Sequence, residues 1–224
     1  MPTFDIAQTD HLLTTTRAVR YGLDLDRPVP REVVAECIRI ACHAPTGSNS
    51  QQYRWVVVDD PHLRSSVGRQ YRAAVAPRIQ PLLDSKAEQG DVAGLRVSRS
   101  AMYLADHMDQ VPVIVILCCD MSASIGHYQA LHPTWSPADY APTMYASVYP
   151  AAWSFQLALR SRGLGSTLTT AHVAEQKPMA EILGLPETWV QTCLIPVAYS
   201  KKDDYPPAPR RPIDEVVVWN GFPR

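Results

Sequence analysis

Ala44-Pro45-Thr46-Gly47-Ser48-Asn49-Ser50-Gln51-Gln52-Tyr53-Arg54-Trp55-Val56-Val57-Val58 joins a polar, turn-forming half to an aromatic and aliphatic half, and the fold is decided by what this stretch connects. Gly47 permits a turn without steric cost, and Ser48, Asn49, Ser50 and Gln51 offer hydroxyls and amides that donate and accept hydrogen bonds. Residues 53–58 read as a buried strand. Ser, Asn and Gly also dominate ordinary turns, so the segments around the stretch must decide whether it holds a ligand.

Upstream, Pro30 suits a first helical position, and Val33, Val34, Cys37, Ile38 and Ala41 recur at helical spacing up to the polar stretch. Before that, Thr9 or Asp10 suits the cap of a first helix that runs through Thr16 into Arg17-Ala18-Val19-Arg20. Downstream, Asp59-Asp60-Pro61 reads as the cap and first turn of a helix reaching about Ala76, and residues 77–108 stay helical with breaks at Pro81 and Gly90. Residues 111–119 are apolar almost throughout, as a central strand covered on both faces requires. Residues 121–149, with three prolines and no clear period, read as a long irregular loop of the functional kind. Ser147 and Pro150 suit a helix start, and Gly163 its C-cap. Residues 164–170 and 190–199 read as strands, 175–183 as a helix closed by Gly184, and 216–219 as a β-like run. Helices alternating with about four strands give an α/β or α+β sheet covered by helices on both faces, in a single domain over residues 1–224.

With 21 Lys and Arg against 22 Asp and Glu, the chain has no basic field, and no nucleic-acid or membrane partner is expected. Residues 1–10 lack a basic and then apolar leader, and the longest apolar run is too short to span a bilayer, so a cytoplasmic protein is expected. The five cysteines include no C-x-x-C pair and read as reduced thiols. The histidines are scattered, and no metal site is expected.

Arg17 and Arg20, at i and i+3 near a helix end, can face one side and hold phosphate oxygens. Gly163-Leu164-Gly165-Ser166 lacks the preceding strand and third glycine of a dinucleotide turn. There is no P-loop, no nucleophile elbow and no Ser/His/Asp arrangement, so no catalytic side chain is assigned.

Taken in order, T-R-A-V-R at 16–20, the opening stretch at 44–58, S-V-Y-P-A-A-W-S-F-Q-L-A-L-R-S-R-G-L-G-S at 147–166 and R-R-P-I-D-E-V-V at 210–217 resemble the FMN-dependent nitroreductase family over nearly the whole chain. The resemblance implies an α+β fold with a central mixed β-sheet flanked by helices, and a domain-intertwined homodimer with FMN at the subunit interface and a tail that reaches onto the partner. It places Arg17, Ala18, Val19 and Arg20 at the FMN phosphate and ribityl chain with Arg210 or Arg211. It places Ser48, Asn49 and Gln51 along the ribityl and pyrimidine edge, from the same or the partner subunit, and Leu164, Gly165 and Ser166 near the isoalloxazine. Ala18 departs from the Arg or Ser of many members, and Gln52-Tyr53 from their Pro-Trp.

The activity implied is NAD(P)H-dependent reduction of a planar acceptor, a nitroaromatic or quinone, in a ping-pong cycle. The flavin carries the chemistry, and the protein supplies binding and electrostatics. The segment from His127, with Tyr128, Trp135, Tyr140 and Tyr145, is the expected acceptor pocket. The alternatives are a flavin-sequestering protein without reductase activity and a related flavin dehydrogenase or dehalogenase.

Overall fold

The computed structural model describes residues 4–222. Its sheet contains β1 (Leu23–Asp24), β2 (Tyr53–Val58), β3 (Val113–Asp120), β4 (Leu164–Ser166) and β5 (Trp189–Ser200) in the order β1-β5-β3-β2, with β4 also on β5. Every pairing within the chain is antiparallel, where the resemblance implied a mixed sheet. A strand's side chains alternate between faces, so β3 feeds two cores. Val113, Val115, Leu117 and Cys119 enter one with helices α2 (Arg31–Ala41) and α6 (Pro137–Arg160). Ile114, Ile116 and Cys118 enter the other with α3 (Pro61–Glu88), α4 (Val92–His107) and α7 (Gln176–Leu183). Residues 111–119 therefore read correctly as the centre of the fold.

Strand β2 forms where expected but not at the expected depth. It ends the strand order, and its burial is broken along its length, with Val57 40% exposed. An apolar run specifies a strand, whereas the number of neighbours sets its burial.

Helix α1 (Ile6–Thr15) starts before Thr9 and Asp10 because Asp5 is its cap, accepting from the Gln8 amide at 3.0 Å. The expected cap at Asp60 holds α3, accepting from the Leu63 amide at 2.8 Å. The helix runs well past Ala76 with Pro77 and Pro81 inside it. Both prolines lie on the exposed side, where water can satisfy the freed carbonyls. Gly90, at φ +66°, makes the reversal into α4.

Residues 121–149 are not a loop. They form α5 (Met121–Leu131) and the first half of α6, which starts at Pro137 rather than near Ser147 or Pro150. Ser136 and Asp139 build a capping box, the Ser136 amide donating to Asp139 Oδ2 at 2.7 Å. Tyr140, Met144, Val148, Ala151, Phe155 and Leu159 then recur every three or four residues on the core. That stripe holds the helix across Pro142 and Pro150.

Gly163 follows the α6 cap Ser161 at φ +75°, and Gly184 closes α7 at φ +64°. Residues 216–219 are not a strand; a short 3-10 turn, Ile213–Glu215, precedes them, and Val216, Val218 and Trp219 are exposed. No helix among the described residues is long and apolar enough to cross a membrane.

Candidate cofactor site

Residues 16–22 form a strap from α1 to β1. Its anchor is the Val19 amide, which donates to the Ser166 carbonyl of β4 at 2.9 Å. Val19 is buried against Gly165, where an added Cβ would lie 3.1 Å from Val19 Cγ1 and 3.0 Å from Leu23 Cδ2. The bare glycine thus lets the strap lie flat on the sheet. From α6, Gln156 Nε2 donates to Ser166 Oγ at 3.2 Å, fixing β4 from the other side.

With Val19 inward, Arg17 and Ala18 face solvent and Arg20 is half-buried. Arg17 Nη1 donates to the Pro206 carbonyl at 3.3 Å, and Arg20 Nη1 makes a long 3.5 Å contact with Ser100 Oγ. Among the described residues no carboxylate forms an ion pair with either guanidinium. Burial lowers the Arg20 pKa, partly opposed by Tyr71, so this cation is desolvated without a counter-charge. Such a group gains from an anionic ligand that supplies one.

The polar stretch is tied to α6 elsewhere, the Gly47 amide donating to Ser147 Oγ at 2.9 Å. Gly47 is needed here for close approach: an added Cβ would lie 3.2 Å from Tyr128 Oη and 3.4 Å from Ser147 Oγ. The left-handed backbone falls instead on Ser48, Asn49 and Gln51, at φ +52°, +52° and +48°. Each such residue costs about 1–2 kcal/mol relative to a relaxed backbone, and strain of this kind gathers at functional sites. Gln51 Nε2 donates to Asn49 Oδ1 at 3.1 Å, and all three side chains remain at the surface.

Strap and turn do not meet on one side of α6. Their anchors, Gln156 and Ser147, are nine positions apart on the helix, which places them about 13.5 Å apart along the axis and half a turn around it. Arg210 and Arg211 are exposed; Arg210 Nη1 donates to the adjacent Pro209 carbonyl at 2.9 Å, and among the described residues neither arginine bonds to Arg17 or Arg20. The expected residues therefore divide between the strap with β4 and the polar turn on the opposite side of α6, while Arg210 and Arg211 are exposed on the tail that follows Pro206, whose carbonyl Arg17 meets.

Three of the expected pocket aromatics pack together and the fourth, Tyr145, stands apart: between ring centroids Tyr128 lies 6.0 Å from Trp135 and 6.3 Å from Tyr140, and Trp135 lies 5.9 Å from Tyr140. Tyr140 belongs to the core and donates to the Trp135 carbonyl at 2.8 Å, Tyr145 packs on Tyr149 at 5.6 Å, and Tyr128 stands beside Gly47. The side chain of His127 lies outside the described residues.

Sequence reading missed a buried polar group beneath the strap. Tyr71 Oη and Thr169 Oγ1 share a hydrogen bond at 3.0 Å, and the His172 ring lies 6.3 Å from that of Tyr71. His172 is wholly buried with neither ring nitrogen bonded, and desolvation pushes its pKa down to about 4. Tyr71 comes from α3, and Thr169 and His172 come from the connection that follows β4, so no local pattern marks them.

A family model described as the nitroreductase family matches residues 13–199. The chain is 24% identical over 220 residues to the NADH dehydrogenase of Thermus thermophilus, covering 89% of each protein. It is 25% identical over 210 residues to human iodotyrosine deiodinase 1, covering 92% of this chain but 66% of the relative. Among solved structures, iodotyrosine deiodinase bound to FMN and 3-iodo-L-tyrosine superposes with a TM-score of 0.67 at 20% identity, over 92% of this chain and 96% of the other. The NADPH:FMN oxidoreductase of Vibrio harveyi complexed with NAD+ gives 0.68 at 16% identity, over 96% and 78%. At these identities the structural likeness establishes the fold.

Proposed function

The chain belongs to the nitroreductase family, and from that premise we propose that it is an FMN-dependent oxidoreductase passing electrons from NAD(P)H to a planar acceptor, a nitroaromatic or quinone, in two half-reactions. The half-buried, uncompensated charge of Arg20 carries this reading. It stands on the same strap as the guanidinium of Arg17, which has no ion pair among the described residues, and near a glycine that lets the strap lie against the sheet.

The residues present fit a flavin mononucleotide. Arg17 and Arg20 would hold the phosphate, whose charge replaces the counter-ion that Arg20 lacks. Ala18 is exposed and adds no side-chain contact, while Val19 and Gly165 fix the direction from which both arginines reach. Leu164 and Ser166 would shape the adjoining wall, with Gln156 preventing rotation of the Ser166 hydroxyl. Ser48, Asn49 and Gln51 present amides and hydroxyls suited to the ribityl and pyrimidine edges. When bound, FMN supplies the two-electron chemistry, and no protein group need act as a base.

The separation of strap and turn across α6 supports a homodimer in which each site takes its strap from one copy and its polar turn from the other. Two further features agree with that assembly. Among the described residues strand β2 has no partner on its outer edge, and the tail carries exposed Val216, Val218, Trp219 and Phe222. A tail crossing to the partner would cover both and would carry Arg210 or Arg211 to the partner's phosphate.

The test is anaerobic mixing of the flavin-loaded protein with NADH and with NADPH. Loss of the yellow absorbance, and its return on adding a quinone or nitroaromatic, is expected. Flavin that stays oxidised with both nucleotides favours a flavin-sequestering protein. The likeness to iodotyrosine deiodinases supports reductive dehalogenation as a second reading, scored by reoxidation with 3-iodotyrosine.

A further inference from the structure

Beside the strap, one face of α4 combines unpaired cations with an aromatic stack. Arg96, Arg99, Ser100, Tyr103 and His107 fall within an arc of about 100° at helical rotation. Two successive strap residues lie on it, Arg20 through Ser100 Oγ at 3.5 Å and Tyr21 through the Tyr103 ring, at 4.4 Å between centroids and 40° between planes. Tyr103 stacks in turn on His107 at 4.1 Å and 27°. The outer ring of this ladder, Tyr21, is 54% exposed and offers its free face to solvent.

Arg96 and Arg99 are exposed, and among the described residues neither has an ion-pair partner. Of the acids of this hairpin, Asp106 pairs with Arg72 at 2.8 Å and Asp91 with Lys86 at 4.0 Å. At i and i+3, the two guanidiniums can grip one phosphate group together. They lie roughly 6–10 Å along the helix from Tyr103, the separation between a nucleobase and a phosphate on its own ribose. His107 Nδ1 lies 2.8 Å from the Tyr103 carbonyl, which can only accept. This bond holds the His107 ring against the inner face of Tyr103 and so stiffens the stack on which Tyr21 lies.

A stacking ring beside a two-arginine phosphate grip suits a phosphorylated nucleoside. We propose that the face of α4 formed by Arg96, Arg99 and Tyr103, with Tyr21 laid on it, binds the adenosine 2′-phosphate end of NADPH and selects NADPH over NADH. This rests on the oxidoreductase reading above, which leaves Arg20 to the flavin phosphate and requires a dinucleotide reductant. Between the two reductants, the ribose 2′-phosphate is the group that differs, and the two free arginines match it.

The test titrates FMN-loaded protein calorimetrically with adenosine 2′,5′-bisphosphate and with 5′-AMP, then repeats both with the double variant Arg96→Ala, Arg99→Ala. The bisphosphate is expected to bind about tenfold tighter than AMP, and the double variant to lose that preference. In steady-state assays the variant's KM for NADPH should rise about tenfold relative to that for NADH. Equal affinity of the unmodified protein for both probes, or a preference that survives in the double variant, overturns the subsite. The titration needs no turnover, so a protein whose flavin neither nucleotide reduces fails the oxidoreductase reading separately.

Discussion

Val19 and Ser166 are joined by a hydrogen bond from the Val19 amide to the Ser166 carbonyl at 2.9 Å, and this contact makes a surface strap part of the sheet. Residues on either side of it inherit the rigidity of β4, and so the sequence-adjacent Arg20 can be held half-desolvated without an acid beside it.

Removing that cation should affect ligand and fold in opposite directions. Arg20→Ala is expected to weaken FMN binding about 10- to 100-fold, because a charge-assisted phosphate contact is lost. The apoprotein should unfold at the same or a slightly higher temperature, since a poorly solvated charge is gone. Flavin absorbance after desalting and apoprotein melting measure the two effects. Full flavin retention would remove Arg20 from the phosphate site.

Gly165 is the complementary case. A valine there meets Val19 and Leu23 inside normal contact distance, and overpacking of this kind costs about 1–3 kcal/mol. Gly165→Val should lower the urea midpoint and, by lifting the strap, the flavin content as well. A stable variant with full flavin would show that the strap tolerates displacement.

The central strand, the turns at Gly90 and Gly184 and the Asp60 cap were legible because each rests on a local rule. The start of α6 was hidden by Pro142 and Pro150, whose effect as breakers is outweighed by the core stripe from Tyr140 to Leu159, and by a capping box closed with Asp139 rather than a glutamate. The residue types proposed for the site can be read from the sequence, but their arrangement cannot. That Arg20 lacks an acid is a fact about every neighbour in space, and the half-turn between Ser147 and Gln156 has meaning only once α6 is known to run through both.

The strained turn predicts a trade of function for stability. Ser48 sits at φ +52°, where glycine fits at less cost, so Ser48→Gly should raise stability by about 0.5–1 kcal/mol. Flavin affinity should fall as the hydroxyl is lost and the turn loosens. Chemical denaturation and FMN titration of one variant test both, and an unchanged affinity would make the turn a connection only.

Acid should weaken the fold through His172. Its pKa lies near 4 in the native protein because of desolvation, against about 6.5 when unfolded. Above pH 6.5 both states are neutral and the residue contributes no pH dependence. Below it the unfolded chain takes up a proton that the buried ring refuses, so stability falls with pH until the native ring titrates near 4. The full loss amounts to roughly 3 kcal/mol. Urea unfolding of the apoprotein at pH 7 and pH 5 should show the decline, and His172→Phe, which keeps a planar ring against Tyr71, should flatten it. An equal slope in that variant would assign the acid sensitivity to other groups.

The tail gives a test of assembly that does not depend on flavin chemistry. Val216, Val218, Trp219 and Phe222 are exposed in the single chain, and among the described residues the outer edge of β2 has no partner strand. Exposed apolar side chains and an open strand edge are each features that folded proteins ordinarily cover. If a second copy covers them, ending the chain after Pro209 should shift the protein from dimer toward monomer in sedimentation velocity at micromolar concentration. It should also lower FMN affinity, because Arg210 and Arg211 are lost together with the crossing segment. Trp219→Ala in the full chain should give a smaller shift in the same direction, since one large aromatic anchor carries much of such an interface. A truncated protein that remains fully dimeric would place the interface on other surfaces, among which exposed Leu13 of α1 and Trp153 of α6 are the first to examine.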